Sequence, residues 1–264
     1  VYPPRERGKV LGINAASVYT GLSLGPVLGG AMNQYLGWES IFYLNGLLGA
    51  GVVILALFKL KGDWAGARGE SFDYLGAMLY TVGLVAFIYG FSSLATQALA
   101  KYILALGVAV IAFFVWREAR VEHPILNTRL FTRNTTYAFS NLAALINYSA
   151  TFALGFLLSL HLQVVMGYTS QTAGLILLSQ PVIMALLSPF TGTLSDRIDP
   201  RVVSSWGMGV TTLGLLGFSF ISQQTPPWVI IANLVFMGIG FALFASPNTN
   251  AAMGSVDKRF YGVA

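Results

Sequence analysis

Apolar residues run along this chain in eight long blocks, and the stretches between them are polar or charged. The blocks cover residues 10–31, 40–58, 74–95, 101–116, 136–160, 171–192, 202–222 and 227–247, the fourth being the shortest. Each is about as long as a helix must be to cross roughly 30 Å of hydrocarbon. The pattern predicts an all-α polytopic membrane bundle of eight spans.

Charge sharpens that reading. Arg5, Arg7 and Lys9 precede the first span, and Lys59, Lys61 and Arg68 follow the second. Arg117, Arg120, Arg129 and Arg133 follow the fourth, Arg197 and Arg201 the sixth, and Lys258 and Arg259 the eighth. Fourteen basic residues therefore fall on one side and only Lys101 on the other. Cytoplasmic loops carry such an excess, so both ends of the chain are expected in the cytoplasm, with the protein integral to the plasma membrane. No Asp, Glu, Lys or Arg lies inside a span; Glu39 sits at an outer edge. Buried charges mark proton paths in membranes, so a coupling carboxylate is expected outside this chain.

Composition excludes several other classes. The 264 residues are 55% hydrophobic and only 9% charged, with a mean hydropathy of +0.68. Soluble domains carry roughly 25% charge. Zero cysteines exclude disulfides and thiolate metal sites, and two histidines leave little for a metal centre. The net charge of +5 is scattered over short loops without a basic stripe, which excludes nucleic acid as a partner. The opening VYPPRERGKV lacks the apolar core of a signal peptide, and Val1 is not a start methionine. The chain is expected to be cut from a longer one.

The first span carries Gly12, Gly21, Gly25, Pro26, Gly29 and Gly30. Gly21, Gly25 and Gly29 lie about 40° apart on a helix, a slowly winding strip without side chains that a neighbour can approach closely. Gly12 is half a turn out of phase with them and reads as tight packing elsewhere. Pro26 lacks the amide that would bond Leu22, predicting a bend or soft spot. The array G(x8)G(x3)GP(x2)GG resembles the antiporter signature in the fifth span of drug:proton antiporters of the major facilitator superfamily. Trp38, Ile41, Phe42 and Asn45 are similar to the W-R-x-I-F-x-I-N run that follows it in fourteen-span exporters, with Glu39 in place of Arg.

Further along, Phe72-Asp73-Tyr74-Leu75-Gly76 and His123-Pro124-Ile125-Leu126 with Arg129-Leu130-Phe131 resemble the two extra spans of fourteen-span members. Gly76, Gly83 and Gly90 repeat every seven residues and predict a packing seam. Gly192-Thr193-Leu194-Ser195-Asp196-Arg197, with Asp199, Pro200 and Arg201, resembles the superfamily's G-x-L-x-D-R-x-G-R-K loop. Gly192, Asp196, Arg197 and Arg201 are the expected latch between two helices at the cytoplasmic face. Arg7-Gly8-Lys9-Val10 and Lys258–Ala264 form a weak repeat that fits two homologous halves.

Tyr137, Asn141, Tyr148 and Phe152 fall within about 60° of one another on the fifth span. Gln180, Asn233 and Phe241 add to them as candidate lining of a substrate cavity; for the amides, a helix–helix hydrogen bond is the equal alternative. Asn147 is expected to be a packing contact, and His161 and Gln163 close the span at the outer interface.

The resemblance implies the middle of a fourteen-span exporter lacking the first four and last two spans. Residues 1–62 would end the N-terminal bundle, 63–134 form the inserted spans and connector, and 135–264 begin the C-terminal bundle. It implies a monomer in the lipid bilayer, working by alternating access on a small-molecule substrate with protons as the coupling ion. Gly21, Gly25 and Gly29 would seal the bundles together, and Pro26 would permit bending. No cofactor or nucleotide is implied, since there is no P-loop. An uncoupled or importing facilitator of metabolites is the alternative. A membrane enzyme or receptor fits less well, because no catalytic cluster lies in the spans.

Overall fold

Residues 6–60 and 71–257 are described by the structure, a computed structural model, without the surroundings of Pro26, Gly30, Ala31, Asn33 and Gln34. Arg5, Lys61, Arg68, Lys258, Arg259, the second copy of the end-to-end repeat at 258–264 and the boundary at 62/63 lie outside the described residues. A backbone in hydrocarbon must satisfy its own N–H and C=O groups, which is why long apolar blocks become helices. The described residues form α1 (Arg7–Leu36), α2 (Glu39–Lys59), α3 (Tyr74–Ser92), α4 (Ala100–Glu118) and the short α5 (Thr128–Arg133). After them come α6 (Thr135–Leu160), a π turn (His161–Val165), α7 (Ser170–Leu177), α8 (Ser179–Arg197), α9 (Pro200–Phe218) and α10 (Pro227–Gly254).

Seven stretches among the described residues are long and apolar enough to cross a membrane, where eight were expected. The exception is α9. It is long enough at 19 residues, but glycine, serine and threonine lower its hydropathy. Its buried residues Val203, Ser204, Gly207, Thr211, Gly214 and Phe218 follow the helical repeat and form one seam. A Cβ on Gly207 would lie 2.5 Å from the Phe244 amide, and one on Gly240 would lie 2.8 Å from that of Thr211. Small residues thus let α9 and α10 touch backbone to backbone, the usual device for packing where lipid offers no hydrophobic drive.

The sixth block is α7 and α8 joined at Leu178, whose amide still bonds to Gly174. At the far end of α6 the helix widens, the Met166 amide reaching back to the His161 carbonyl. Gln163 there donates to the Ser159 carbonyl and accepts from the Ser170 hydroxyl.

Two compact units emerge, Val1–Asp63 with Phe139–Gly254, and Trp64–Ala138 with Ser255–Ala264. In the first, Leu158, Leu162, Ile176, Ile230, Leu234 and Met237 form an apolar core. In the second, α3 and α4 make a close hairpin. The buried residues of α3 are Gly76, Gly83 and Gly90, and a Cβ on Gly90 would lie 2.7 Å from the Leu104 Cα. Asp73 caps α3 by accepting from the Gly76 amide at 2.8 Å and is paired with Arg117. Buried Glu118 accepts from Arg117 at 3.3 Å and from the Leu126 amide at 2.9 Å, tying the end of α4 to the connector.

Candidate functional site

A helix leaves its first four amides without partners, and the residue before α1, Glu6, supplies no side-chain cap. The cap comes from far along the chain. Asp196, near the end of α8, accepts from the Gly8 amide through Oδ1 at 2.7 Å and from the Lys9 amide through Oδ2 at 2.8 Å. Hydrogen bonds to a charged group are worth about 1.5–3 kcal/mol, and the positive end of the helix dipole favours the same carboxylate.

That geometry needs close backbones. A Cβ on Gly8 would come within 3.0 Å of the Gly192 carbonyl and of Asp196 Oδ1. A Cβ on Gly12 would meet the Ser188 carbonyl and lie 3.1 Å from Pro189 Cα and 3.2 Å from Gly192 Cα. Gly192 faces Gly8 and Gly12 in return. The tight packing expected of Gly12 is therefore against α8.

The end of α10 closes the knot. Asn250 Nδ2 donates to Ser195 Oγ at 3.0 Å, and Ser195 Oγ donates to the Gly192 carbonyl at 2.7 Å. Thr191 Oγ1 donates to the Ala242 carbonyl at 2.7 Å, and Asn248 Nδ2 donates to the Ser140 carbonyl at 3.0 Å. Polar groups this deep cost free energy unless paired, and here they pair across helices. Gly8, Ser195 and Asn250 were missed from sequence. The signal lay in Ser246-Pro247-Asn248-Thr249-Asn250, a polar run closing an apolar block.

The rest of the expected latch divides. Arg197 is exposed. Arg201 turns to its own neighbour, donating through Nε and Nη2 to Asp199 at 3.2 and 3.0 Å. Asp199 also accepts from the Arg201 amide and so caps α9. The guanidinium holds the Asp199 carboxyl below its ordinary pKa. The aspartate that replaces the loop's glycine thus has a local capping role and engages Arg201 within the loop itself.

Alongside Gly12 and for about two turns beyond it on α1, a cleft of about 190 Å³ opens between α1, α6 and α10. Asn14, Val18 and Tyr19 line it with Tyr148, Ser246 and Thr249. Beside it, Phe241 packs edge-on against Tyr19 at 6.0 Å and Tyr148 at 5.4 Å between ring centroids. Phe241 and Tyr19 are buried, and Tyr148 is half exposed. Tyr19 and Asn14 had given no signal in the sequence, because a lone tyrosine and a lone asparagine in a span fit any packing role.

Tyr148 and Phe241 are the expected cavity residues that meet at this cleft; the others go elsewhere. Tyr137 is 4% exposed and stacks edge-on with Phe131 at 5.0 Å in the second unit. Asn141 is exposed and has a partner, while Phe152 is 83% exposed. The shared face on α6 does not make one wall, because fifteen residues of helix span about 22 Å and pass different neighbours. Asn233 donates to the Gly214 carbonyl at 2.9 Å, the helix–helix alternative. Gln180 is buried, and its Nε2 has no partner among the described residues. Asn147 is a packing contact on Met208, as expected.

At Gly21, Gly25 and Gly29 an added Cβ would meet nothing within 4 Å among the described residues. Pro26 and Gly30 lie outside the residues whose surroundings are described, and the helix runs through both without a break.

Comparison with known proteins agrees with this architecture. The sequence model of the family described as Major Facilitator Superfamily matches residues 1–264. The chain is 29% identical over 266 residues to the riboflavin transporter RibZ of Clostridioides difficile, covering 99% of this chain and 57% of that protein. It is 32% identical over 268 residues to the multidrug resistance protein Stp of Mycobacterium tuberculosis, covering 98% and 49%. It is 26% identical over 267 residues to the uncharacterized transporter YebQ of Escherichia coli, covering 100% and 58%. The chain thus spans about half the length of the curated relatives it matches, and these relatives are transporters, not enzymes.

Proposed function

Because the chain belongs to the major facilitator superfamily, we propose that it forms part of a proton-coupled exporter of drugs or other small lipophilic compounds, of the fourteen-span antiporter type. It works in the plasma membrane as a monomer with both ends cytoplasmic, and its coupling carboxylate lies outside these spans. Residues 1–62 and 135–264 contribute to the two bundles, and 63–134 are the inserted pair.

The observation that carries this reading is the Asp196 carboxylate on the first amides of α1. Alternating access needs an element with two arrangements, made in one state and broken in the other. A carboxylate gripping two main-chain amides has that character. It holds firmly when made, yet moving α1 along its axis breaks both bonds at once. Gly8, Gly12 and Gly192 let the helices come close enough to make it. The open strip at Gly21, Gly25 and Gly29 is the surface on which the second bundle closes. The relative named as a multidrug resistance protein supports drug export.

The relative named as a riboflavin transporter favours a second reading, an uncoupled or importing facilitator of a metabolite. Everted membrane vesicles separate the two. With the neutral lipophilic dye Nile red as the probe, uptake driven by the proton gradient should stop when a protonophore collapses that gradient. Uptake that continues unchanged refutes proton coupling.

A further inference from the structure

Among the described residues, those that line the cleft between α1, α6 and α10 carry no charge. No Asp, Glu, Lys or Arg occurs between Lys9 and Glu39, between Arg133 and Asp196, or between Arg201 and Asp257. These three intervals contain every residue that lines the cleft. The nearest carboxylate along the sequence of α8, Asp196, is committed to the Gly8 and Lys9 amides.

Its polar groups are equally telling. Ser246 Oγ points to the Gly8 carbonyl at 3.5 Å, and Thr249 Oγ1 donates to the Ala245 carbonyl at 2.9 Å. Both hydroxyl protons are therefore directed into the protein. The Asn14 amide, exposed on α1, presents a donor and an acceptor together. On α6 the same cleft is lined by the half-exposed ring of Tyr148, against which buried Phe241 packs edge-on. A flat face and an amide are what a ring system with one hydrogen-bonding edge requires. Aromatic pairs in offset or edge-on arrangements gain about 0.5–1.5 kcal/mol beyond the area they bury. At about 190 Å³ the cleft is smaller than the roughly 300–1,000 Å³ of a drug-sized site, so it takes one ring system and not a whole ligand.

We propose that this cleft is the subsite for an uncharged, planar ring bearing an amide-like edge, stacked against Tyr148 and hydrogen-bonded to Asn14. The assignment rests on the transporter reading above and narrows its substrate class. A charged ring would enter without a counter-charge, and stripping its water goes uncompensated.

The test uses the protein expressed from its full open reading frame, purified, with two matched bicyclic probes. Isoquinolin-1-one is neutral and carries an amide edge; 2-methylisoquinolinium has nearly the same shape and a positive charge. Ligand-observed NMR should give a Kd at least tenfold lower for the neutral probe. Asn14→Leu and Tyr148→Ala should each weaken that probe about tenfold, and Phe220→Ala, at a residue 85% exposed in the turn after α9, should leave it unchanged. Asn14 is exposed, so Asn14→Leu still decides if Tyr148→Ala fails to fold. Equal binding of the two probes, or neutral-probe binding untouched by Asn14→Leu, overturns the subsite. Uptake of Nile red, a neutral dye, driven by the proton gradient in everted vesicles is measured on the same proteins. Its persistence alongside either result refutes the subsite alone, and its absence in the unaltered protein refutes the transporter reading instead.

Discussion

The two ends of the glycine array on α1 behave differently. At Gly8 and Gly12 the helix presses its backbone on Gly192, Ser188 and Pro189 of α8, while at Gly21, Gly25 and Gly29 nothing among the described residues comes within 4 Å of an added Cβ. The regular four-residue strip is the open one, and the out-of-phase glycine is the one in contact. A small residue gives permission for close approach; the approach itself needs a partner with a matching gap. For Gly12 the partner is Ser188-Pro189 with Gly192 one turn on, and Asp196 a further turn on locks the pair.

Substitutions can break this contrast. Gly12→Leu should have the largest effect, because the new side chain has backbone on its far side. Overpacking typically costs about 1–3 kcal/mol and here should also abolish efflux. Gly25→Leu should leave the melting temperature unchanged and abolish efflux at normal membrane expression. Equal melting for both would erase the difference between the two ends. Unchanged efflux in Gly25→Leu would remove the sealing role proposed for the strip.

Asp196→Ala comes next. It leaves the Gly8 and Lys9 amides without their carboxylate and should lower stability by about 2 kcal/mol. Asp196→Asn should lie between, since one amide oxygen can still accept. Chemical denaturation in mild detergent reads both.

A smaller effect sits in the α3–α4 hairpin and depends on pH. The Arg117 guanidinium beside Asp73, with help from the Gly76 amide, holds the Asp73 carboxyl at about 2 against an ordinary 3.8. A carboxyl depressed on folding stabilises the protein above its unfolded pKa, and that contribution is lost as pH falls from about 3.8 through about 2. Arg117→Met should flatten the acid limb of the stability curve in that window. A limb that keeps its slope contradicts the pairing. Arg201→Ala should do least, leaving the denaturation midpoint where it is, because its pair with Asp199 is exposed to solvent.

Much of this architecture could be read from residue order. Seven of the eight expected spans followed from apolar length, and the Gly76, Gly83 and Gly90 seam from its sevenfold spacing, because both are properties of a single helix. The aspartate of the 192–201 loop was legible as a helix-joining group for its chemistry. Its actual partners were not, since Gly8 lies 188 residues away and no periodicity links them. The same limit scattered the cavity residues. A helical face says which side chains leave in one direction, whereas what they meet depends on neighbours along about 22 Å of α6. α9 failed the span test for a related reason, its face toward α10 being made of small residues whose value lies in contact.

Hydrogen–deuterium exchange at the Gly8 and Lys9 amides tests the joining of α1 to α8 most directly. In the unaltered protein both amides should be protected, and Asp196→Ala should release them while the amides of α3, in the other compact unit, keep their protection. Exchange at Gly8 and Lys9 that is fast from the outset, or equally slow after Asp196→Ala, would contradict a carboxylate from α8 holding the start of α1.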